Sequence, residues 1–406
     1  MEVALSSVKL ARRVTNIRVS PSTAAAQKAR DLKAAGRNIV DLTVGEPDFD
    51  TPDSIKNVAI EAIRDGDTKY TPVNGTVALR KAIQQDYATR LGIECALDTI
   101  CVGGGAKQIL FLALTATVEK GDEVIIPAPY WVSYPDMVVA NGGTPVILRC
   151  GEDTGFKLTP QALADAITPA TRWVVLNSPS NPTGVAYTAE ELKALGEVLG
   201  RHPHVLVLCD EIYDRIWYAD FPACSIVSVV PELADRALVV NGVSKSYAMT
   251  GWRIGYGAGP KDLIDAINKL QSQSSSCPSS ISQAAAAAAL TGDQATVTET
   301  VEVYRERCER AWERLNAIEG LSCVKPDGAF YLYPNCSGVI GKTTPEGKKI
   351  ESDLDFVIYL LESAGVATIH GAAYGLEPYF RLSTATSKEI LEEGCDRIER
   401  ACKALR

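Results

Sequence analysis

The feature that most constrains this chain is a series of short apolar segments separated by helical patterns. The segments cover residues 99–102, 123–126, 144–148, 173–176, 205–209, 237–240 and 254–258. Helical patterns stand between most of them, including residues 106–118, 189–199 and 224–233. Alternation of this kind predicts an α/β fold: a mainly parallel central sheet sandwiched by helices. Ligands of such sheets sit beyond the carboxyl ends of the strands, so the loops there are where chemistry is expected.

The two ends of the chain do not fit that sheet. Residues 295–318 form a long charged helical pattern rich in Glu and Arg. Strand-like stretches follow at 329–333 and 379–383, then a helical tail at 387–405. These predict a smaller α+β domain completed by the N-terminal segment. The expected division is 1–50 for an N-terminal arm and part of the small domain, 51–291 for the large domain, and 292–406 for the small C-terminal domain. The alanine run 284–289 is a good helix former. The Ser-rich stretch 272–280 reads as an irregular loop near the site.

Charge narrows the partners. Lys and Arg number 41 against 50 Asp and Glu, a net charge of −9. A nucleic-acid or anionic-membrane partner would need a basic face, so neither is expected. No apolar run reaches the ~20 residues of a membrane span. The 11 cysteines follow neither metal-ligand nor disulfide-framework spacing, and the first residues lack the order of a secretion signal. Both point to a reducing cytoplasm. The histidines, His202, His204 and His370, have no partners at ligand spacing, so no metal is expected.

Several strand-end residues carry chemistry. Lys245 is the only formally charged residue between Ala237 and Trp252. Poor hydration there would lower its amine pKa and make it a nucleophile toward carbonyls; a lysine whose stem packs while its head reaches water is the plainer alternative. Asp210 directly follows an apolar run, with Tyr213 three positions on. A buried carboxylate there needs a cation, such as a protonated pyridine nitrogen, unless it only caps a helix. Gly103-Gly104-Gly105-Ala106-Lys107 joins a strand to an apolar helix, where free N–H groups attract phosphate. Position 108 is Gln108, so the dinucleotide fingerprint is not complete. Arg253 suits bidentate phosphate binding, or a surface ion pair. Asn181 lies in the turn Asn177–Gly184 and either donates to a ring oxygen or steadies the turn. Trp131 offers a face for stacking or ordinary packing.

Together these segments resemble a known family. Ser-Pro-Ser-Asn181-Pro-Thr-Gly, Asp210-Glu-Ile-Tyr213 and Ser244-Lys245-Ser-Tyr-Ala-Met-Thr-Gly-Trp-Arg253-Ile-Gly-Tyr are similar to motifs of the pyridoxal 5′-phosphate (PLP)-dependent aminotransferases of fold type I, class I. Gly45-Glu-Pro-Asp-Phe, Lys69-Tyr70-Thr-Pro, Pro129-Tyr130-Trp131-Val-Ser-Tyr134 and Phe380-Arg381-Leu-Ser extend the resemblance from near Leu10 to the C-terminus. It is greatest with the bacterial-type aspartate aminotransferases, some of which also accept prephenate or aromatic substrates.

The resemblance implies roles for individual residues. Lys245 would hold PLP as a Schiff base and then shuttle the substrate proton. Asp210 would hold the pyridinium N–H, and Tyr213 and Asn181 the ring oxygen. Trp131 would stack on the ring. The Gly105 and Ala106 N–H groups, Ser244 and Arg253 would bind the phosphate. Tyr70 would reach the phosphate of a neighbouring subunit, which implies a homodimer with shared sites. Arg381 would clamp the substrate α-carboxylate, helped by Asn181 and the Gly45 backbone.

The side chain selected is implied by Lys107, which matches the lysine that bacterial-type enzymes use for the distal carboxylate. Ser22 and Thr23 are the nearby hydroxyls, in a stretch shorter than the family's usual one; Arg12 and Arg13 lie just before it. The implied activity is ping-pong transamination of aspartate or glutamate with 2-oxoglutarate or oxaloacetate, through pyridoxamine phosphate. The alternatives are an aromatic or prephenate aminotransferase, or another PLP reaction such as a β-lyase. A nucleotide-dependent oxidoreductase has no complete motif here.

Overall fold

The computed structural model describes residues 8–18 and 21–406; the Ser22 side chain lies outside the described residues. Strand β1 (Val40–Asp41) stands apart from the main sheet. The next seven strands build that sheet: β2 (Ile100–Gly103), β3 (Glu123–Ala128), β4 (Thr144–Arg149), β5 (Thr171–Asn177), β6 (Leu206–Asp210), β7 (Ala237–Gly242) and β8 (Gly255–Ala258). Their spatial order is β2-β8-β7-β6-β5-β3-β4. Strand β8 runs antiparallel to both neighbours, and the other pairings are parallel. The expected α/β architecture is therefore present.

Burial explains why these segments are strands. All of β7 is buried, as a central strand covered on both faces must be. Edge strand β4 is half-exposed and less uniformly apolar. Helix Ala106–Thr117 packs on helix Lys261–Ser274 along one face of the sheet. Across the sheet, the alanine run lies in helix Ser280–Thr291, whose small side chains pack against helices Asp53–Arg64 and Val77–Asp86. Helix Ala189–Gly200 starts at a capping box: Thr188 Oγ1 accepts from Glu191 N–H while the Glu191 carboxylate accepts from Thr188 N–H.

Three expectations change in detail. Residues 224–233 are not one helix. Helix Ile226–Val229 stops before Pro231, which starts the separate 3-10 turn Pro231–Arg236; the residue before a proline is pushed out of the helical region. The Ser-rich loop is also shorter, because residues 272–274 complete one helix and Ser280 opens the next. Its remainder does reach the Gly-rich turn, since Gln108 Nε2 donates to Ser275 Oγ at 2.6 Å. The segment 254–258 opens as a strand one residue later, at Gly255, and Arg253 before it adopts a left-handed conformation (φ 57°).

The remaining strands are short: β9 (Tyr331–Leu332), β10 (Val366–Ala367), β11 (Ile369–His370) and β12 (Phe380–Ser383). Strand β12 pairs antiparallel with β11 and β9, while β1 pairs parallel with β10. Helices Ala295–Asn316 and Lys388–Ala404 cover this region. Val40 and Leu42 share a core with Leu315, Phe356, Phe380 and Ile398, separate from the cores on the two faces of the main sheet. Among the described residues, no helix is long and apolar enough to cross a membrane.

Candidate active site

The carboxyl ends of the parallel strands meet at a cavity of about 520 Å³, within the usual size range of small-molecule sites. Asp210 ends β6, and Asn177 ends the neighbouring β5 beside it. The Pro129–Trp131 segment follows β3, and the Gly-rich turn follows β2. Because β8 is reversed, its entering end lies on the same rim. The connection from β7 to β8 therefore brings Ser244, Lys245 and Arg253 to one place. From the smaller part of the chain, Gly45 and Arg381 also line the cavity.

Lys245 Nζ donates to the Gly45 carbonyl at 2.6 Å. Loss of hydration lowers the amine pKa to about 8; Glu46 opposes this, and the charges of Arg381 and Arg253 add to it. Asp210 is buried at 4% exposure. Its Oδ2 accepts from the Tyr134 hydroxyl at 2.6 Å. Burial raises its pKa to about 6, against the opposing pull of Tyr134, the Ile212 N–H and Lys245. No ion pair to Asp210 forms among the described residues. Such a carboxylate suits a cation arriving from outside the chain.

Arg381 is 3% exposed. Its Nη1 donates to Asn181 Oδ1 at 3.0 Å and its Nη2 to the Thr43 carbonyl at 2.6 Å. Its flat face lies over the Tyr331 ring, 4.5 Å from the centroid, and over Tyr374 at 5.3 Å. Nε has no partner, and no carboxylate pairs with the guanidinium among the described residues. A buried cation held only by neutral groups is a receptor for an anion.

The Gly-rich turn is shaped by Arg253. Gly105 has φ 96°, and a Cβ there would run into the Arg253 guanidinium. Arg253 donates to the carbonyls of Thr250 at 2.8 Å and Gly104 at 3.1 Å, leaving further donors. The Gly105 N–H is turned onto the Gly103 carbonyl at 2.8 Å. Ala106 then opens the helix; the Gln108 N–H donates to the Gly105 carbonyl at 3.0 Å, which leaves the Ala106 and Lys107 N–H groups without intrahelical acceptors. Lys107 Nζ sits over the Trp131 ring at 4.6 Å. Partial loss of hydration and then the charge of Arg253 hold its amine below the usual lysine range.

The structure thus gathers Gly45, Ala106, Lys107, Trp131, Asn181, Asp210, Tyr213, Ser244, Lys245, Arg253 and Arg381 around one cavity, with Gly105 against Arg253. Thr23 also lines it. Arg12 and Arg13 lie on a short exposed helix and are not among the lining residues. Tyr70 is 92% exposed and does not line its own chain's cavity. Sequence reasoning missed Asn177, Tyr134, Tyr331, Glu46 and Arg30. Asn177 Nδ2 donates to the Asp210 carbonyl at 2.8 Å, and its Oδ1 accepts from Asn181 N–H at 2.9 Å, so it ties two strand ends together. Tyr134 and Asn177 do lie inside quoted motifs, which was the available signal. Tyr331 is one aromatic among several in the stretch 329–333, with nothing to single it out.

A depressed amine, a buried unpaired carboxylate and a buried anion receptor define an enzyme site for a small anionic substrate. The model of the family "Aminotransferase class I and II" matches residues 37–398, and the chain belongs to that family. An aspartate/prephenate aminotransferase of Cereibacter sphaeroides is 52% identical over 393 residues, covering 96% of this chain and 98% of its own length. The crystal structure of the aspartate aminotransferase of Rhizobium meliloti superposes with a TM-score of 0.97 at 50% identity, covering 98% of this chain and 100% of that one. The Thermus thermophilus aspartate aminotransferase solved with maleate gives 0.91 at 38% identity, covering 97% and 100%. The fold is that of the fold type I enzymes, and the protein is an aminotransferase.

Proposed function

We propose that this aminotransferase uses pyridoxal 5′-phosphate to move the amino group of aspartate or glutamate to 2-oxoglutarate or oxaloacetate. The observation that carries the substrate reading is Arg381, a buried guanidinium without a carboxylate, in the same cavity as a second cation, Lys107. Two cations suit a dicarboxylate. Maleate, bound by the Thermus relative, is a four-carbon dicarboxylate.

The residues present fit the cofactor. Asp210 offers a buried carboxylate to a protonated ring nitrogen. The helix start at Ala106 and Arg253, packed so close to Gly105 that a Cβ there would strike it, offer donors to a phosphate. Trp131 offers a face and Tyr213 a hydroxyl. When bound, PLP supplies an electron-withdrawing ring that acidifies the substrate Cα–H. Arg381 holds the α-carboxylate with Asn181 beside it, which fixes the Cα–H toward Lys245. Lys245, as a neutral amine, accepts the proton from Cα and holds it for return. Lys107 receives the distal carboxylate, and Thr23 lines the same cavity.

We also assign residues 51–291 to a cofactor-holding domain and residues 292–406 with 1–50 to a smaller one, on the strength of their separate cores. The working form is a homodimer in which Tyr70 serves the neighbouring subunit's phosphate. Its 92% exposure, with Ile60 and Ile63 also exposed nearby in the chain, supports this. All 11 cysteines are free thiols, which suits a cytoplasmic enzyme.

A second substrate, prephenate, is favoured by the name of the 52% identical relative and by the aromatic walls Trp131 and Tyr331. Half-reactions of the PLP-loaded protein test both readings. Aspartate and glutamate should bleach its visible band within one turnover. A band that only aromatic amino acids bleach would overturn the dicarboxylate assignment.

A further inference from the structure

Tyr331 adjoins more of this machinery than any role assigned so far uses. Its hydroxyl lies 2.8 Å from the Tyr213 hydroxyl. Its ring carries the Arg381 guanidinium at 4.5 Å. A Cβ on Gly45 would sit 2.9 Å from its hydroxyl, so Gly45 keeps the space open. The carbonyl of that same Gly45 accepts from Lys245. The ring is 1% exposed and wedged between Tyr213, edge-on at 5.6 Å, and Phe330 at 4.9 Å.

We propose that Tyr331 is a positioning residue for transamination: its hydroxyl donates to Tyr213, which turns the Tyr213 proton into the cavity, and its ring seats Arg381 for the substrate carboxylate. The inference rests on the PLP-dependent reading above. Two phenols sharing one hydrogen bond need one donor, and the stronger acid takes that role. Burial raises both phenols, and the guanidinium resting on the Tyr331 ring favours Tyr331 as the more acidic of the two. Tyr331 is therefore taken as the donor. A donated hydrogen bond polarises the Tyr213 O–H and strengthens its own bond to an acceptor in the cavity. The ring contact acts separately. Cation–π attraction is greatest for a desolvated cation, and Arg381 has neutral acceptors on one edge and aromatic rings on its face.

Two substitutions separate the parts. Tyr331→Phe keeps the ring and removes the hydroxyl; Tyr331→Leu removes both. The PLP-loaded variants are titrated by pH on their visible band, then by maleate at fixed pH. In Tyr331→Phe the band's midpoint should rise by roughly half a pH unit, about threefold in proton affinity, as a weakened donor would produce. Its kcat should fall by about tenfold, with maleate affinity changed less than about twofold. Tyr331→Leu should in addition weaken maleate by about tenfold. In a Tyr213→Phe background, Tyr331→Phe should not move the midpoint further. A wild-type midpoint in Tyr331→Phe, or an undiminished shift in the Tyr213→Phe background, would overturn the proposal while leaving transamination intact. A wild-type protein that gains no visible band with PLP would overturn the cofactor reading and this proposal together. Should Tyr331→Leu not fold, the Phe series still decides the hydroxyl's role.

Discussion

The Tyr134 hydroxyl donates to Asp210 Oδ2 at 2.6 Å, and it is the strongest of the contacts that oppose the effect of burial on that carboxyl. Tyr134→Phe should therefore raise the Asp210 pKa above its present value of about 6. Binding of PLP to the cofactor-free protein, measured against pH, should lose its acidic limb at a higher pH than in the wild type. Near neutrality the affinity should fall by about tenfold and recover as the pH rises.

Asp210 also makes the cofactor-free protein pH-sensitive. Its carboxyl binds a proton more tightly folded, at about 6, than at the ordinary 3.8. That contribution favours the folded state fully below pH 3.8 and is lost as the pH rises through 6. Asp210→Asn, which carries no charge, should gain up to about 3 kcal/mol on the wild type between pH 4 and pH 7. Urea unfolding at the two pH values measures this; a constant difference would refute the stored cost.

Lys245 has its amine pKa lowered to about 8. In the cofactor-free protein it should react with an amine-directed acylating reagent with a midpoint near pH 8. Peptide mapping after brief labelling at that pH should find Lys245 ahead of exposed lysines. Prior loading with PLP should protect it.

Lys107 lies over Trp131 and lacks an ion pair among the described residues. Lys107→Met keeps an unbranched stem over the ring. It should raise KM for aspartate by about tenfold, the value of one exposed charge-assisted contact, and leave an aromatic amino acid within about twofold. Equal losses for both substrates would place Lys107 outside side-chain selection.

Gly105→Ala would force φ 96° on a residue with a Cβ and push that Cβ into Arg253. The strain should cost about 1–2 kcal/mol of stability and displace the guanidinium. Calorimetry of the cofactor-free protein reads the first effect and PLP affinity reads the second.

The central strands are legible in the sequence because burial on both faces makes them continuous apolar runs, as in β7. The reversal of β8 is not legible, since apolarity carries no direction. Residues 224–233 mislead because their apolar spacing outlasts what Pro231 permits. Lys245 and Asp210 stand out as charges bordering apolar strands. Tyr134 and Tyr331 do not, because their meaning lies in partners 76 and 118 positions away in the chain. Only folding reveals which phenol in an aromatic segment faces which carboxylate or phenol.

The reversed β8 has a further consequence for how this protein can be altered. Lys245 and Arg253 hang on one connection, pinned at its ends by the Gly242–Gly255 pairing. Its length is therefore a ruler between amine and guanidinium. Inserting or deleting a single residue there would shift one against the other, whereas the outer turn of edge strand β4 is not held to such a measure. Segment exchange with other enzymes should succeed only when the whole stretch from Gly242 to Gly255 is transplanted as one unit.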